Sequence, residues 1–354
     1  MINLLKRLSY IFILLLFVPA AFSLSGCSGA GTASGTDDAP PLSEFEPITE
    51  IKDGRKNIYL IIKVVDSSYW QVIVKGVREA GIENDCNVYC GGTTIETDWQ
   101  GQRKLINEAI DRRADAILLS PDDSVELAPD IEKVHDLGVP IVLIDTAANT
   151  ESYAKCYMTD NLLAGQKAAS EMIKQLKMAG YLSDRELKVG IMVGSAASQT
   201  INERLAGFYK CWTDNAPRKW SIIPDLMNCD GKIDEGIDIA EDFLKEHTDV
   251  CGLYSTNNSP TRAICSVVKD QERKDLVVVG FDYSDEIKEL IEAPEYHAST
   301  MLQRQYDMGW RSVETAMQIL GGNEPAVKFE DTGVVTVNYM NISDPEVMEV
   351  LKNN

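Results

Sequence analysis

The sequence predicts an α/β protein with two parallel sheets, each flanked by helices. Short runs rich in Val, Ile and Leu recur along the whole chain, and amphipathic segments separate them. Strands that alternate with helices form right-handed crossovers, which place successive strands side by side in a parallel sheet. From Gly54 to Asn354 the chain is longer than the roughly 100 to 150 residues of a typical domain, so we expect two such sheets.

The predicted strands are apolar on both faces, as expected for a parallel sheet that helices cover on each side. The runs that fit this pattern are residues 57–65, 114–120, 139–145, 187–194, 250–255 and 276–282. Between them, segments such as residues 99–113 and 233–247 carry apolar residues at helical spacing, with charged residues on the opposite face.

The first 26 residues have the layout of a secretory signal peptide. Lys6 and Arg7 form a positive end, residues 11–17 are apolar, and small residues follow. The alternative, a permanent transmembrane anchor, needs about 20 apolar residues, whereas serines and a proline interrupt this stretch. We therefore expect residues 1–26 to be a lipoprotein signal peptide that is absent from the mature protein.

Residues 24–27, Leu-Ser-Gly-Cys, resemble the lipobox of bacterial lipoproteins, in which the cysteine is acylated and becomes the mature N-terminus. This resemblance implies that Cys27 is lipidated and anchors the protein to the extracytoplasmic face of the cell membrane. Each buried methylene of an acyl chain contributes about 0.8 kcal/mol, so several chains form a stable anchor. We predict a flexible tether over residues 27–53, because a segment rich in Gly, Ser, Thr and acidic residues buries little apolar surface.

The charge and the cysteine content exclude several function classes. The formal net charge is −21, which excludes nucleic acid and anionic membrane surfaces as expected partners and indicates a solvated acidic surface. Besides Cys27 there are seven cysteines, an odd number that cannot all pair within one chain and that suits a reducing setting. The cysteines and the three histidines lack zinc-site spacing, so we expect no metal site.

Polar and aromatic residues follow the predicted strands, at the positions where the strand ends of an open parallel sheet form a binding crevice. These positions are residues 66–70, 121–123, 145–146, 257–258 and Asp282. The chain has no G-x-G-x-x-G fingerprint, no phosphate-binding P-loop and no G-x-S-x-G elbow. We therefore expect no cofactor.

Five motifs indicate a family: ADAILLSPDDS, GVPIVLIDT, TDNLLAGQKAA, NERLAGF and VVVGFDYSDE. Through them, residues 55–345 resemble the type I periplasmic binding proteins, specifically the ribose- and galactose-binding sugar receptors of ABC transporters. That branch is also similar to the effector half of lactose-repressor-type regulators. Such a repressor has a helix-turn-helix ahead of the domain, where this chain has a predicted signal peptide.

The resemblance implies two similar Rossmann-like lobes that are joined by a three-stranded hinge and close on a ligand between them. On this basis the first lobe contains residues 54–160 and 304–331, and the second lobe contains residues 161–303 and 332–345. We expect the three crossings near residues 160, 303 and 331.

The resemblance also implies a set of ligand-binding residues. They are Lys63, Asp66, Ser67, Tyr69, Trp70, Asp145, Thr146, Asn202, Asn257, Asp282 and Gln303. Thr146 and Asn202 stand where ribose receptors carry arginines, and Cys229 stands where an aromatic residue is usual. Because two guanidinium groups are lost and Lys63 is gained, we expect a ligand other than ribose, either larger or bearing an amine or an acid.

The side chains at these positions suit a sugar independently of the resemblance. Carboxylates and amides match hydroxyl groups, which both donate and accept hydrogen bonds, and aromatic rings pack on the apolar face of a sugar ring. Each residue also has a structural explanation. Tyr69 and Trp70 could pack on the sheet at the start of a helix, and Asp145 and Asp282 could cap helices or form turns.

We therefore expect a monomeric, lipid-anchored solute-binding protein that delivers a sugar-like ligand to an ABC permease. Two alternatives remain open: a receptor whose closed form docks on a sensor kinase or chemoreceptor, and the same fold with a nucleoside or another non-sugar as ligand. Two aspartates across a cleft also occur in glycosidases. However, Asp145 and Asp282 come with no helper motif, so we expect that the protein is not an enzyme.

Overall fold

The computed structural model describes residues 44–195 and 198–353. The predicted signal peptide, Cys27 and most of the predicted tether lie outside these residues. Among the helices that the structure describes, none combines the length and the apolar character that a membrane crossing requires.

Strands and helices alternate along the described chain, as the hydrophobic pattern predicts. In chain order the elements are β1 (Glu46–Pro47), β2 (Asn57–Val64), α1 (Ser68–Glu83), β3 (Asn87–Thr93), α2 (Trp99–Asp111), β4 (Ala116–Leu119), α3 (Ala128–Asp136), β5 (Ile141–Ile144), β6 (Lys155–Met158), α4 (Asn161–Met178), β7 (Leu187–Val193), α5 (Gln199–Asn215), β8 (Trp220–Ile222), β9 (Met227–Asn228), α6 (Ile233–Glu246), β10 (Val250–Ser255), α7 (Asn258–Asp270), β11 (Val277–Phe281), α8 (Asp285–Glu292), β12 (His297–Gln303), α9 (Gln305–Leu320), β13 (Phe329–Asp331), β14 (Val334–Asn338) and α10 (Pro345–Leu351).

The strands form two sheets, so the predicted two-sheet α/β class is confirmed. The first sheet has the order β1-β3-β2-β4-β5-β6-β13, and the second has the order β14-β12-β11-β10-β7-β8, with β9 beside β7. Only β1 and β14 are antiparallel to their neighbours. Below, lobe 1 is the first sheet with α1, α2, α3 and α9, and lobe 2 is the second sheet with α4 to α8 and α10.

The chain passes between the lobes three times. It leaves β6 of the first sheet for α4, which packs on strands β10, β11, β12 and β14 of the second sheet. It returns from β12 to α9, which packs on β4, β5 and β6, and it crosses again from β13 to β14. The crossing segments are therefore residues 159–160, Arg304 and residues 332–333.

Close helix pairs hold each lobe together, because glycines let two backbones approach. A Cβ atom on Gly165 of α4 would lie 2.0 Å from the carbonyl oxygen of Arg204 in α5, and a Cβ on Gly207 would lie 2.0 Å from the backbone of α4. In lobe 1, Gly76 and Gly309 join α1 and α9 in the same way. The α4–α5 contact therefore fixes the position of Arg204 within lobe 2.

The predicted tether is too long at its C-terminal end. Glu46–Pro47 pair with β3, so the folded chain begins before residue 54. The physical reason is Phe45, which is buried and meets the Tyr59 ring edge-on at a centroid distance of 4.9 Å. Its ring also fills the space beside Gly91, where a Cβ atom would come within 2.9 Å of it. Hydrogen bonds from Ile48 N to the Val88 carbonyl and from Val88 N to Thr49 Oγ1 continue this attachment of the segment to β3.

The described cysteines are all free thiols, and four of the seven are buried: Cys86, Cys156, Cys229 and Cys265. Burial raises the pKa of the Cys86 and Cys229 thiols to about 11, which keeps both groups protonated at neutral pH. Among the described residues, no three or more His, Cys, Asp or Glu side chains are grouped so that they could hold a metal ion.

Candidate functional site

A cavity between the two sheets is lined by residues from both lobes. The space between its lining atoms measures about 360 Å³, a volume that includes part of the open solvent at its mouth. Lobe 1 contributes Lys63, Tyr69, Trp70, Glu96 and Asp145. Lobe 2 contributes Ser198, Thr200, Ile201, Arg204, Asn257, Asn258, Asp282 and Gln303.

The two aspartates of the cavity have the same position and backbone conformation in their sheets. Asp145 directly follows β5, and Asp282 directly follows β11. Their φ angles are 67° and 68°, in the left-handed region that Asp tolerates better than most residues. Each aspartate therefore turns the chain at a strand end and also lines the cavity. Neither caps the helix that follows, since Asp160 caps α4 and Ser284 caps α8.

The Asp145 carboxylate already accepts two hydrogen bonds from lobe 1. The Tyr69 hydroxyl donates to Oδ1, and the Thr146 hydroxyl donates to Oδ2 at 2.7 Å. The Lys63 ammonium donates to Thr146 Oγ1 at 2.9 Å and lies 4.0 Å from Asp145 Oδ2. Burial, followed by the neighbouring Asp145 charge, raises the pKa of Tyr69 well above its ordinary value, so its hydroxyl remains a donor.

Tyr69 and Trp70 form an aromatic wall in the first turn of α1. Their rings meet edge-on with centroids 4.9 Å apart, and the Lys63 ammonium lies 5.9 Å from the centre of the Trp70 ring. Trp70 is only 2% exposed, and its indole N–H has no acceptor among the described residues. The pair thus starts a helix and packs on the sheet, as its structural explanation requires, and it also lines the cavity.

Asp282 is the buried carboxylate of lobe 2. Its Oδ1 accepts a hydrogen bond from Gln303 Nε2 at 2.7 Å, and Gln303 in turn accepts one from the Thr159 hydroxyl at 2.8 Å. Burial raises the pKa of Asp282 to about 7, against the opposing effect of the Arg204 guanidinium. Because Thr159 and Gln303 lie where the chain crosses between lobes, the hinge itself orients this carboxylate.

Arg204 is a cavity residue that the sequence analysis missed. It is 2% exposed, donates to Asn161 Oδ1 at 2.9 Å and to the Thr256 carbonyl at 2.7 Å, and lies 4.1 Å from the centre of the Phe281 ring. A guanidinium therefore remains in the cavity. The sequence pattern contained a signal for it, since positions 201, 204 and 208 of α5 have the i, i+3, i+7 spacing of an inward face.

The prediction for Asn202 is wrong. This residue is exposed and faces a separate groove beside Gln199 and Phe329, outside the cavity. On a helix, residues two apart point to nearly opposite sides. Arg204 therefore enters the cavity, whereas Asn202 points away from it.

Glu96 is the second cavity residue that the sequence analysis missed. It lies in the loop after β3, and its Oε2 accepts a hydrogen bond from Asn257 Nδ2 of lobe 2 at 3.4 Å. Burial raises the pKa of Glu96, while Lys63 and Arg204 oppose the shift. The glycine-rich β3 was not among the predicted strands, so the loop at its carboxyl end was overlooked.

Two side-chain contacts join the lobes across the cleft. One is the Glu96–Asn257 hydrogen bond, and the other places Thr146 Oγ1 3.3 Å from Thr200 Oγ1. Both contacts lie at the edge of the cavity. The structure therefore represents the closed arrangement of the lobes.

The remaining predicted site residues surround the cavity or lie apart from it. The Thr146 hydroxyl accepts a hydrogen bond from Lys63 and donates one to Asp145, without itself lining the cavity. Asp66 and Ser67 line a neighbouring pocket that shares Glu96 and Asn258 with the cavity. Cys229, at the position where an aromatic residue is usual, is buried in the core of lobe 2.

Comparisons with known proteins agree with this geometry. Residues 58–324 match the family model described as periplasmic binding protein domain. The D-ribose/D-allose-binding protein of Pseudomonas aeruginosa is 25% identical over 307 residues, which cover 83% of this chain and 91% of that protein. A carbohydrate transporter solute-binding protein from Agrobacterium radiobacter, solved with D-arabinose, has a TM-score of 0.80 at 24% identity and covers 84% of this chain and 99% of its own. An ABC transporter solute-binding protein from Agrobacterium vitis, with bound D-fucose, has a TM-score of 0.76 at 28% identity. The match covers 82% of this chain and 98% of that protein.

Proposed function

We propose, from the premise that this chain belongs to the periplasmic binding protein domain family, that it binds a sugar or sugar-like small molecule between its two lobes and delivers it to an ABC importer. The fold is the type I periplasmic binding protein fold, and the similar proteins with ligand-bearing names bind ribose, allose, arabinose and fucose. These are transport proteins rather than enzymes, which supports a binding role.

The observation that carries the proposal is the composition of the closed cavity. Its aromatic wall of Tyr69 and Trp70 faces a polar set that includes Asp282 and Gln303. An apolar face and an array of hydrogen-bonding groups are the two surfaces that a sugar ring presents. Trp70 adds a buried indole N–H that a ligand hydroxyl oxygen can accept.

The arrangement also supports binding rather than glycoside hydrolysis. If Asp145 and Asp282 were a glycosidase pair, one would act as the acid and the other would have to be free to act as nucleophile or base. Asp145 instead accepts hydrogen bonds from Tyr69 and Thr146 and is neutralised by Lys63. This carboxylate is held as a structural anion, so we propose that the protein is not an enzyme.

We propose that ligand binding closes the lobes. Lys63, Tyr69 and Trp70 come from lobe 1, whereas Asn257 and Asp282 come from lobe 2. Only the closed state allows both sets to contact one ligand, so the ligand shifts the population toward it. This also suits the alternative of a receptor that reports its closed form to a membrane sensor, and only a partner assay distinguishes importer from sensor.

The proposed location is the extracytoplasmic face of the cell membrane, as a monomer held by a lipid on Cys27. The support is the Leu-Ser-Gly-Cys sequence at residues 24–27 behind an apolar segment. The folded chain starts near Phe45, which leaves about 17 residues for the tether. At roughly 5 to 6 Å times the square root of the residue number, such a linker spans about 20 to 25 Å.

A ligand screen by thermal shift tests the proposal. The purified protein is melted with neutral hexoses, pentoses, amino sugars, polyols, nucleosides and amino acids. A ligand at 100 times its dissociation constant adds about 2.7 kcal/mol to the free energy of unfolding, so a genuine ligand produces a clear rise in Tm. A response to nucleosides or amino acids, with none to any saccharide, would contradict the proposed ligand class.

A further inference from the structure

The charges in the cavity do not balance. The cavity lining contains three carboxylates, Glu96, Asp145 and Asp282, but only two cations, Lys63 and Arg204. Buried charges in proteins are normally paired, because an isolated charge loses its hydration without compensation. The excess of one carboxylate therefore influences which charge a bound ligand carries.

The first cation is committed to Asp145. Lys63 lies 4.0 Å from Asp145 Oδ2 and donates to Thr146 Oγ1, which itself donates to the same carboxylate. Tyr69 donates to the other oxygen of Asp145. These groups form a closed unit within lobe 1 with no net charge.

The second cation belongs to lobe 2. Arg204 is fixed by Asn161 Oδ1 and by the Thr256 carbonyl, and its guanidinium lies on the Phe281 ring, the residue before Asp282. Its charge opposes the rise that burial imposes on the pKa of Asp282. Arg204 is therefore the cation that most favours the ionised form of Asp282, although among the described residues the two side chains share no hydrogen bond or ion pair.

Glu96 has no cation in direct contact, and Lys63 and Arg204 lower its pKa only from a distance. Across the described residues it makes no ion pair, and its one hydrogen bond is the 3.4 Å contact from the neutral Asn257 amide. Its side chain packs close to Gly231 of lobe 2, where a Cβ atom would be 3.6 Å from Glu96 Cβ. The carboxylate thus lies at the closed seam between the lobes and lines the cavity.

A second observation indicates hydroxyl groups on the same ligand. The Trp70 indole N–H, on a residue only 2% exposed, lines the cavity and has no acceptor among the described residues. A buried donor of this kind requires an acceptor, which a ligand hydroxyl oxygen supplies. A ligand that satisfies both sites carries a hydroxyl oxygen for Trp70 and a positive charge for Glu96.

We propose that the ligand is a polyhydroxylated ring that carries one ammonium group, an amino sugar or a ring-amine sugar, and that Glu96 is the counter-ion which selects it. This inference rests on the proposed sugar-binding function. It makes Glu96 the residue that distinguishes a charged ligand from a neutral sugar of the same shape. Asp282 then binds hydroxyl groups, for which a charge on the ligand is unnecessary.

The test compares matched ligand pairs by titration calorimetry with the purified protein near neutral pH. The pairs are D-glucosamine with D-glucose, D-galactosamine with D-galactose, and 1-deoxynojirimycin with 1,5-anhydroglucitol. In the last pair, the first compound has an amine in its ring where the second has an oxygen. We expect at least one amine to bind about tenfold or more tightly than its neutral partner. In Glu96→Gln this preference should disappear, whereas in the control Glu203→Gln, a carboxylate that contacts Gln199 outside the cavity, it should remain.

Each result has one meaning. Tighter binding of the neutral member in every pair overturns the inference and leaves the proposed sugar-binding function intact. A preference for the amine that persists in Glu96→Gln overturns the assignment to Glu96. Binding of no saccharide, together with binding of a nucleoside or an amino acid, overturns the proposed function and the inference together. Proton uptake from the buffer on binding a neutral sugar would show that protonation, rather than a ligand amine, neutralises Glu96, and it also overturns the inference.

Discussion

Asp145 and Asp282 are equivalent residues of the two lobes. The chain leaves lobe 1 after β6 and lobe 2 after β12, and each aspartate directly follows the neighbouring strand, β5 or β11. Both have a left-handed backbone, with φ of 67° at Asp145 and 68° at Asp282. Their side chains differ in surroundings. Asp145 is neutralised by Lys63 within lobe 1, whereas Asp282 bonds to Gln303 at the hinge. The same fold position therefore holds a carboxylate paired with Lys63 in one lobe and a cavity-lining carboxyl bonded to the hinge in the other.

Asp282→Asn should weaken sugar binding about tenfold to a hundredfold with little change in Tm, because a charged acceptor is lost while Asn tolerates the left-handed backbone. Calorimetry and a thermal melt measure the two effects. Asp230→Asn is the matched control, since Asp230 also has a positive φ, of 46°, but does not line the cavity. A lower Tm with wild-type affinity would restrict Asp282 to a role in the turn.

Asp122→Asn should stabilise the protein most at high pH. Burial raises the pKa of Asp122 to about 8, and the Glu96 and Asp98 charges add to the shift against Lys63. Because the folded pKa is above the unfolded value of about 3.9, stability falls as pH rises between about 4 and 8, by up to about 1.4 kcal/mol per unit. Denaturant unfolding near pH 5, 7 and 9 measures the profile. Parallel profiles of wild type and variant would refute the prediction.

Ligand should reduce the radius of gyration in small-angle scattering. The Glu96–Asn257 and Thr146–Thr200 contacts exist only when the lobes are together, so a ligand that bridges the cavity favours that population. The binding-deficient Asp282→Asn protein is the control and should show no change at the same ligand concentration. An unchanged radius in saturated wild type would argue against hinge closure.

Gly165→Ala should destabilise the protein by about 1 to 3 kcal/mol, the usual cost of overpacking. The added Cβ would lie 2.0 Å from the Arg204 carbonyl oxygen, so α4 and α5 must separate and Arg204 must move. We therefore expect weaker ligand binding as well. Gly321→Ala, whose Cβ has no contact shorter than 3.3 Å, is the control and should change stability by less than about 0.5 kcal/mol. Equal effects of the two substitutions would contradict this account.

Cys27→Ser should release the protein from the membrane fraction and abolish its labelling with a fatty acid. The reason is chemical, because the serine hydroxyl cannot form the thioether that holds a lipid on a cysteine. The other cysteines, such as Cys211, are the internal control, and Cys211→Ser should still be labelled. A Cys27→Ser protein that keeps both label and membrane association would place the anchor elsewhere.

The fold was predictable from the sequence because buried parallel strands have a strong apolar signal. All six predicted runs overlap strands of the structure. Two of the longer strands that escaped prediction show why. β3 contains Gly91 and Gly92 beside a cysteine, and β12 contains His297, Ser299, Thr300 and Gln303, so neither has a continuous run of Val, Ile and Leu. Register and edge pairing, as in β1, depend on contacts distant in sequence.

The site was predictable where it depends on strand ends and not where it depends on helix phase. The residues after β5, β10 and β11 line the cavity as expected from the geometry of parallel sheets. Asn202 was predicted as a ligand-binding residue from its position in a motif. In the structure, Arg204 of the same helix lines the cavity, and Asn202 lies in a separate groove. Glu96 required knowledge of β3 and of the distance between lobes. Such a contact between segments about 160 residues apart leaves no local pattern.

The three crossings have a consequence for how the chain folds. The first sheet lacks β13 and the α9 support of β4, β5 and β6 until residues 305–331 have been made, and the second sheet lacks β14 until residues 334–338 follow. Neither lobe can complete its fold while only the N-terminal part of the chain has been made. The contact of Gly76 in α1 with α9, the helix that contains Gly309, closes a loop of more than 200 residues. Long-range closure of this kind slows folding. Compact folding is therefore delayed until the last helix pair and both edge strands, β13 and β14, are available.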